Sequence, residues 1–166
     1  MWELYIVRHG IAVERGTPGI PDDDRPLTPK GERQMREIAH GLAAMETTVD
    51  RIATSPLPRA LRTAEILAEG LEIAGEVEIA PVLRADSTAR DVADWLDLQP
   101  EPPLMIVGHN PILDELLSLL LLGDPMALPF EFKKGGVASL RRPSVDGQAH
   151  TLRWLAPPKL LRKLSE

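Results

Sequence analysis

Residues 4–10 read Leu4-Tyr5-Ile6-Val7-Arg8-His9-Gly10, four apolar residues in succession and then an arginine, a histidine and a glycine. A short unbroken apolar run is the pattern of a strand buried on both faces, as in a parallel sheet. In open α/β sheets ligands bind beyond the carboxyl ends of the strands, so this run predicts a cation and an imidazole delivered to the functional edge. The pattern recurs at Leu104-Met105-Ile106-Val107, which leads into Gly108-His109-Asn110-Pro111. Two of the four histidines of the chain therefore sit just past two apolar strands.

The intervening segments alternate in period. Thr28 is a helix N-cap with Pro29 at the first helical position, and Met35, Ile38, Ala39, Leu42 and Ala43 follow at helical spacing. Residues 51–54 form a short strand running into Ser55-Pro56, and Ala60, Leu61, Ala64, Leu67, Ala68 and Leu71 mark the next helical face. Residues 77–83 read as a third strand, and Ser87 caps a helix that buries Val92, Ala93 and Leu96. The fourth strand, 104–107, leads to a helix over 111–122 with Asn110 as N-cap and Pro111 as its first residue. Residues 136–141 and 150–155 are two strands joined by the hairpin turn Ser144-Val145-Asp146-Gly147. The expected fold is a three-layer α/β/α domain with a mostly parallel sheet and an antiparallel edge hairpin, spanning 1–156. In the C-terminal tail, 157–166, Lys159 to Lys163 form a short basic amphipathic segment after Pro157-Pro158, with docking on the body or on an acidic surface as one reading and a solvated terminal helix as the expected one.

Bulk properties narrow the function. A chain of 166 residues is long enough to bury about 70% of its unfolded surface as one domain. Its formal charge of -6 supplies no basic excess for a nucleic-acid backbone, so no nucleic-acid partner is expected. Without cysteine there is no disulfide framework or thiolate metal site. The amino terminus lacks a signal-peptide pattern, and the apolar stretch 116–122, interrupted by Ser118, is too short to span a bilayer. The expectation is a soluble cytoplasmic protein with no membrane partner.

The strand ends carry the chemistry. Arg8 and His9 come from the first, Ser55 from the second, and His109 with Asn110 from the fourth, while Arg59 and Arg62 share one face of the helix after Ser55. Three arginines and two histidines repel one another unless an anion fills the pocket, and the arginine fork matches phosphate oxygens. A phosphoryl group is the expected ligand. A neutral imidazole can attack phosphorus while a charged one holds the oxygens. The residues leave open which histidine does which, although Gly10 lets a carbonyl approach one ring nitrogen of His9 and makes it the better nucleophile candidate. A metal site is disfavoured, because no third ligand has recognisable spacing and the arginines repel a cation. His40 and His150 read as structural residues, and Asp22-Asp23-Asp24 as a solvated loop that Arg25 links to the site.

Arg8-His9-Gly10, Ser55-Pro56-Leu57-Pro58-Arg59-Ala60-Leu61-Arg62-Thr63-Ala64 and Gly108-His109-Asn110-Pro111, together with Asp24-Arg25-Pro26-Leu27-Thr28 and Gly31, resemble the histidine phosphatase superfamily, and within it the SixA-type phosphohistidine phosphatases. The resemblance implies that His9 becomes phosphorylated, that Arg8, Arg59 and His109 surround the phosphate, and that no metal or organic cofactor takes part. Gly10, Ser55, Arg62 and Asn110 are the expected further substrate contacts. Arg62 stands where the family often has glutamine, adding charge at the pocket. No glutamate stands at an obvious equivalent of the acid that larger relatives use to protonate the leaving group, which leaves Asp86 as the candidate. A phosphohistidine needs such an acid less than an alkyl phosphate does, because its P–N bond is already labile. Three functions follow: hydrolysis of phosphohistidine on a protein through a phospho-His9 intermediate, a phosphatase or mutase acting on a small phosphate ester, and a non-catalytic phosphate-binding module.

Overall fold

The computed structural model describes residues 3–100, 103–145 and 147–166. Its elements in chain order are β1 (Glu3–Arg8), α1 (Pro29–Ala44), β2 (Arg51–Thr54), α2 (Pro58–Gly70), β3 (Glu78–Ile79), α3 (Ala89–Asp97), β4 (Leu104–Gly108), α4 (Ile112–Leu122), β5 (Val137–Arg141), β6 (Thr151–Ala156) and α5 (Pro158–Lys163). They build one six-stranded sheet in the order β3-β2-β4-β1-β5-β6. The first four of these neighbours are parallel, and β5 joins β1 and β6 antiparallel. The three-layer architecture with an antiparallel edge pair is thus the one expected. The turn joining β5 to β6 includes Asp146, which lies outside the described residues, as do Met1 and Trp2 ahead of β1.

Alternation along the strands divides the core between the two faces. Leu4 and Ile6 of β1 with Leu104 and Ile106 of β4 face Val92 and Leu96 of α3 and Leu113, Leu116 and Leu117 of α4. Tyr5, Val7, Met105 and Val107 face the other way, onto Met35, Ile38 and Leu42 of α1 and Ala60, Ala64 and Leu67 of α2. Every strand residue named here is at most 5% exposed, so the apolar runs are continuous because both faces are covered.

Four local expectations need correction. The third strand is only Glu78–Ile79, because Pro81, which has no N–H for the ladder, opens a 3-10 turn over Pro81–Leu83. Thr88, not Ser87, caps α3: its hydroxyl accepts from the Asp91 N–H, and the Asp91 carboxylate accepts from the Thr88 N–H at 3.3 Å in a capping box. Asn110 is not the N-cap of α4, since its side-chain amide donates to the Phe132 carbonyl at 3.1 Å and Pro111 occupies the cap with helical angles. The terminal helix α5 is no solvated appendage. Leu161 is fully buried against α1, Arg162 pairs with Glu37, and a side chain at Gly41 would overlap the Leu161 carbonyl.

The buried faces of the first two helices also sit slightly differently. Ala43 is exposed on α1, and α2 buries Arg59, Thr63 and Ile66 with Ala60, Ala64 and Leu67, while Leu61 is only half-buried. That rotation turns Arg59 inward.

Candidate active site

The register of the central strands explains how the site assembles. Arg8 pairs with Gly108 across β1 and β4, and Thr54 of β2 pairs with Val107 of β4. All three strands run in the same direction, so His9, Ser55 and His109, each one residue past its strand, arrive at one edge. There His9 and His109 line a pocket of about 310 Å³ together with Arg8, Ala12, Glu14, Arg15, Arg25, Arg59, Ala85, Asn110 and Lys134.

His9 is 5% exposed, and its Nδ1 lies 2.7 Å from the Gly10 carbonyl. A carbonyl only accepts, so Nδ1 carries the hydrogen and Nε2 keeps its lone pair. A Cβ on residue 10 would come within 2.7 Å of Met35, so glycine is what lets this turn lie against α1. The Gly10 N–H donates to the Thr63 hydroxyl, which in turn donates to the Arg59 carbonyl, tying the His9 turn to α2. Burial, opposed by the Gly10 hydrogen bond and reinforced by His109, Arg59 and Arg8, lowers the His9 pKa to about 3. The ring is neutral at pH 7.

His109 stacks at a tilt beside it, with ring centroids 5.2 Å apart. Its Nε2 lies 2.8 Å from the Ser55 hydroxyl, and the Ser55 oxygen accepts from the Leu57 N–H. Burial first, then Arg59, Arg25, Arg8 and Arg84, lowers the His109 pKa to about 3. Arg8 is anchored by a 2.7 Å bond to the Phe132 carbonyl and Arg59 by a 2.9 Å bond to the Asp22 carbonyl. Burial pushes the pKa of both guanidinium groups down, and Arg8 Nε, Arg59 Nε and His109 Nδ1 are buried without a partner among the described residues. Buried unpaired polar groups are costly, and an anion relieves both the unpaired guanidinium donors and the repulsion among like charges. Among the described residues no group of three or more His, Asp or Glu side chains is arranged to hold a metal ion.

Arg8, His9, Gly10, Arg59, His109 and Asn110 thus meet at one edge. Four of the expected residues do not line the pocket: Gly10, which holds the His9 ring, and Ser55, Arg62 and Asp86. Ser55 is fully buried and contacts His109 from behind. Arg62 is held by Glu32 and Glu65, each at 3.1 Å. Asp86 is 75% exposed and pairs with Arg84, leaving Glu14 as the carboxylate of the described lining. Sequence reasoning missed Arg15, Glu14 and Lys134. Lys134 had a signal in the pair Gly135-Gly136: Gly135 has φ +82, and its N–H bonds to the carbonyls of Arg8 and His9, which brings the loop before β5 against the His9 turn. His150, expected to be a satisfied edge-strand residue, lies just ahead of β6, and its buried Nε2 has no partner among the described residues.

The model of the histidine phosphatase superfamily (branch 1) matches residues 4–85. An uncharacterized protein of Picosynechococcus sp. is 36% identical over 165 residues, covering 96% of this chain and 98% of that one. The chain belongs to the histidine phosphatase superfamily. The phosphohistidine phosphatase SixA of Escherichia coli is 26% identical over 160 residues, 94% of each chain. The solved structure of the protein histidine phosphatase SixA complexed with tungstate superposes with a TM-score of 0.83 at 25% identity, covering 96% of this chain and 99% of that one. This superfamily member is a phosphatase of the α/β fold. His109 lies beyond the matched residues 4–85, so its place in the site rests on the strand register rather than on the family model.

Proposed function

We propose that this superfamily member is a cytoplasmic, metal-independent phosphohistidine phosphatase acting on a histidine-phosphorylated protein. The observation that carries the reading is the His9 ring: neutral, fixed by Gly10 with Nε2 unprotonated, and enclosed by Arg8, Arg59 and His109. His9 Nε2 attacks phosphorus, the P–N bond to the substrate ring breaks, and the arginines neutralise the equatorial oxygens. The leaving ring departs as a neutral imidazole when its other nitrogen carries a proton, so the step asks little of a general acid. Water then attacks phospho-His9, releasing phosphate and restoring the ring. His109 takes up a proton once the anion offsets the arginine repulsion, and adds a charged donor to the oxygens. Asn110 completes the wall of the pocket. The likeness to SixA over nearly the whole length supports a phosphohistidine substrate.

Phosphate release from a histidine-phosphorylated carrier protein, run beside a panel of small phosphate esters in the presence of a chelator, tests this reading. Turnover of the carrier by the wild type and its loss in His9→Ala are expected. Preferential release from an ester moves the enzyme to the small-molecule branch, and the absence of all release leaves a phosphate-binding module.

A further inference from the structure

Asp22 contacts three of the four arginines that line the pocket, although it is not itself part of the lining. Its Oδ1 accepts from Arg15 Nε at 2.9 Å and from Arg25 Nε at 2.8 Å, and its carbonyl accepts from the Arg59 guanidinium at 2.9 Å. Among the described residues the Arg25 guanidinium makes one further bond, to the Val13 carbonyl, and the residue is held at 8% exposure. The arm that carries these groups is itself tied down by the Ala12–Leu27 bridge and the Val13 N–H to Pro26 carbonyl bond. Because Asp22 engages Arg15 and Arg25 only through Nε, both Nη groups of Arg15 and one of Arg25 remain available to a ligand. Two guanidinium groups directed at one small pocket repel each other, and a single carboxylate oxygen between them offsets that repulsion while setting their orientation.

We propose that Asp22 is a positioning residue, which clamps Arg15 and Arg25 so that their free Nη donors meet the phosphoryl group alongside Arg8 and Arg59. This rests on the pocket being the phosphoryl site of the function proposed above. The sign of the effect separates it from a simple charge. A carboxylate beside an anion site repels the anion, so deleting a charge with no positioning role tightens anion binding, whereas deleting the clamp weakens it.

The test uses tungstate binding measured by calorimetry, together with steady-state kinetics on the phosphorylated carrier, for wild type, Asp22→Asn and Asp22→Ala. Asp22→Ala is expected to weaken tungstate binding at least fivefold and to raise KM by a similar factor, with kcat changed less than threefold because His9 and His109 stay in place. Asp22→Asn, which keeps an acceptor oxygen, falls between Asp22→Ala and wild type. Unchanged or tighter tungstate binding in both variants overturns the proposal, as does a loss confined to kcat. Weaker tungstate binding in the variants of an enzyme that does not hydrolyse phosphohistidine upholds the positioning role and refutes the substrate assignment alone.

Discussion

The Gly10 carbonyl does more for His9 than hold it, because it decides which ring nitrogen has the lone pair. With a pKa of about 3, the ring should stay neutral in the ligand-free protein down to about pH 4. A 15N-resolved NMR titration should show the Nδ1–H tautomer from pH 8 to pH 4; protonation with a midpoint near 6.5 would rule out the proposed nucleophile. Ser55 supports the second histidine from behind. Ser55→Ala deletes that hydrogen bond and the one from Leu57, and kcat/KM is expected to fall by about tenfold, the equivalent of about 1.4 kcal/mol. Arg62 is a contrasting case, since its ion pairs with Glu32 and Glu65 keep it on the outer face of α2. Arg62→Gln should leave kcat and KM within about twofold and cost less than about 1 kcal/mol in urea unfolding.

At the level of elements, the apolar runs 4–7 and 104–107 announced β1 and β4 without ambiguity, because a strand covered on both faces needs apolar residues at every position. Their ends placed His9 and His109 correctly for the same reason. Arg15 was not legible, because it reaches the pocket from a loop whose course depends on tertiary bonds, such as that of the Val13 N–H to the Pro26 carbonyl, which no local pattern encodes; Lys134 had only the neighbouring Gly135-Gly136 pair as a signal. Nor did the short tail show that it docks, since Leu161 gains its burial only from the face of α1. That docking leads to a prediction for one helix pair. Gly41 meets the Leu161 carbonyl so closely that any Cβ must displace backbone, which yields less than a side chain does. Gly41→Ala, a favourable change for an isolated helix, should instead lower stability by about 2 kcal/mol and raise amide exchange in α5. A gain in stability would mean that α5 is not held against α1 in solution.

Across the whole molecule, the features that prepare the pocket for an anion also make the fold sensitive to acid. His9 and His109 are both held near pKa 3 in the folded chain against about 6.5 in the unfolded one, and His150 is lowered to about 4 by burial and then Arg142. Between those values the unfolded chain binds more protons than the native one, so stability rises with pH there. Stability contributed by the neutral rings is complete above about pH 6.5 and is lost as the pH falls toward 3, amounting to up to about 5 kcal/mol for each pocket histidine. A pocket anion reverses the sign of the local field, favours the protonated rings and raises both pKa values. Sulfate remains a dianion from pH 4 to 8, so its own ionisation does not intrude. Urea unfolding without sulfate should therefore lose stability steeply from pH 6.5 to 4. With about 5 mM sulfate, the curve should be higher and flatter, because the ligand binds only the native pocket. His9→Gln should remove part of the slope even without sulfate. An equally steep slope in sulfate would show that the pocket histidines do not sense an anion, and would remove the electrostatic basis for His109 as a charged phosphoryl donor.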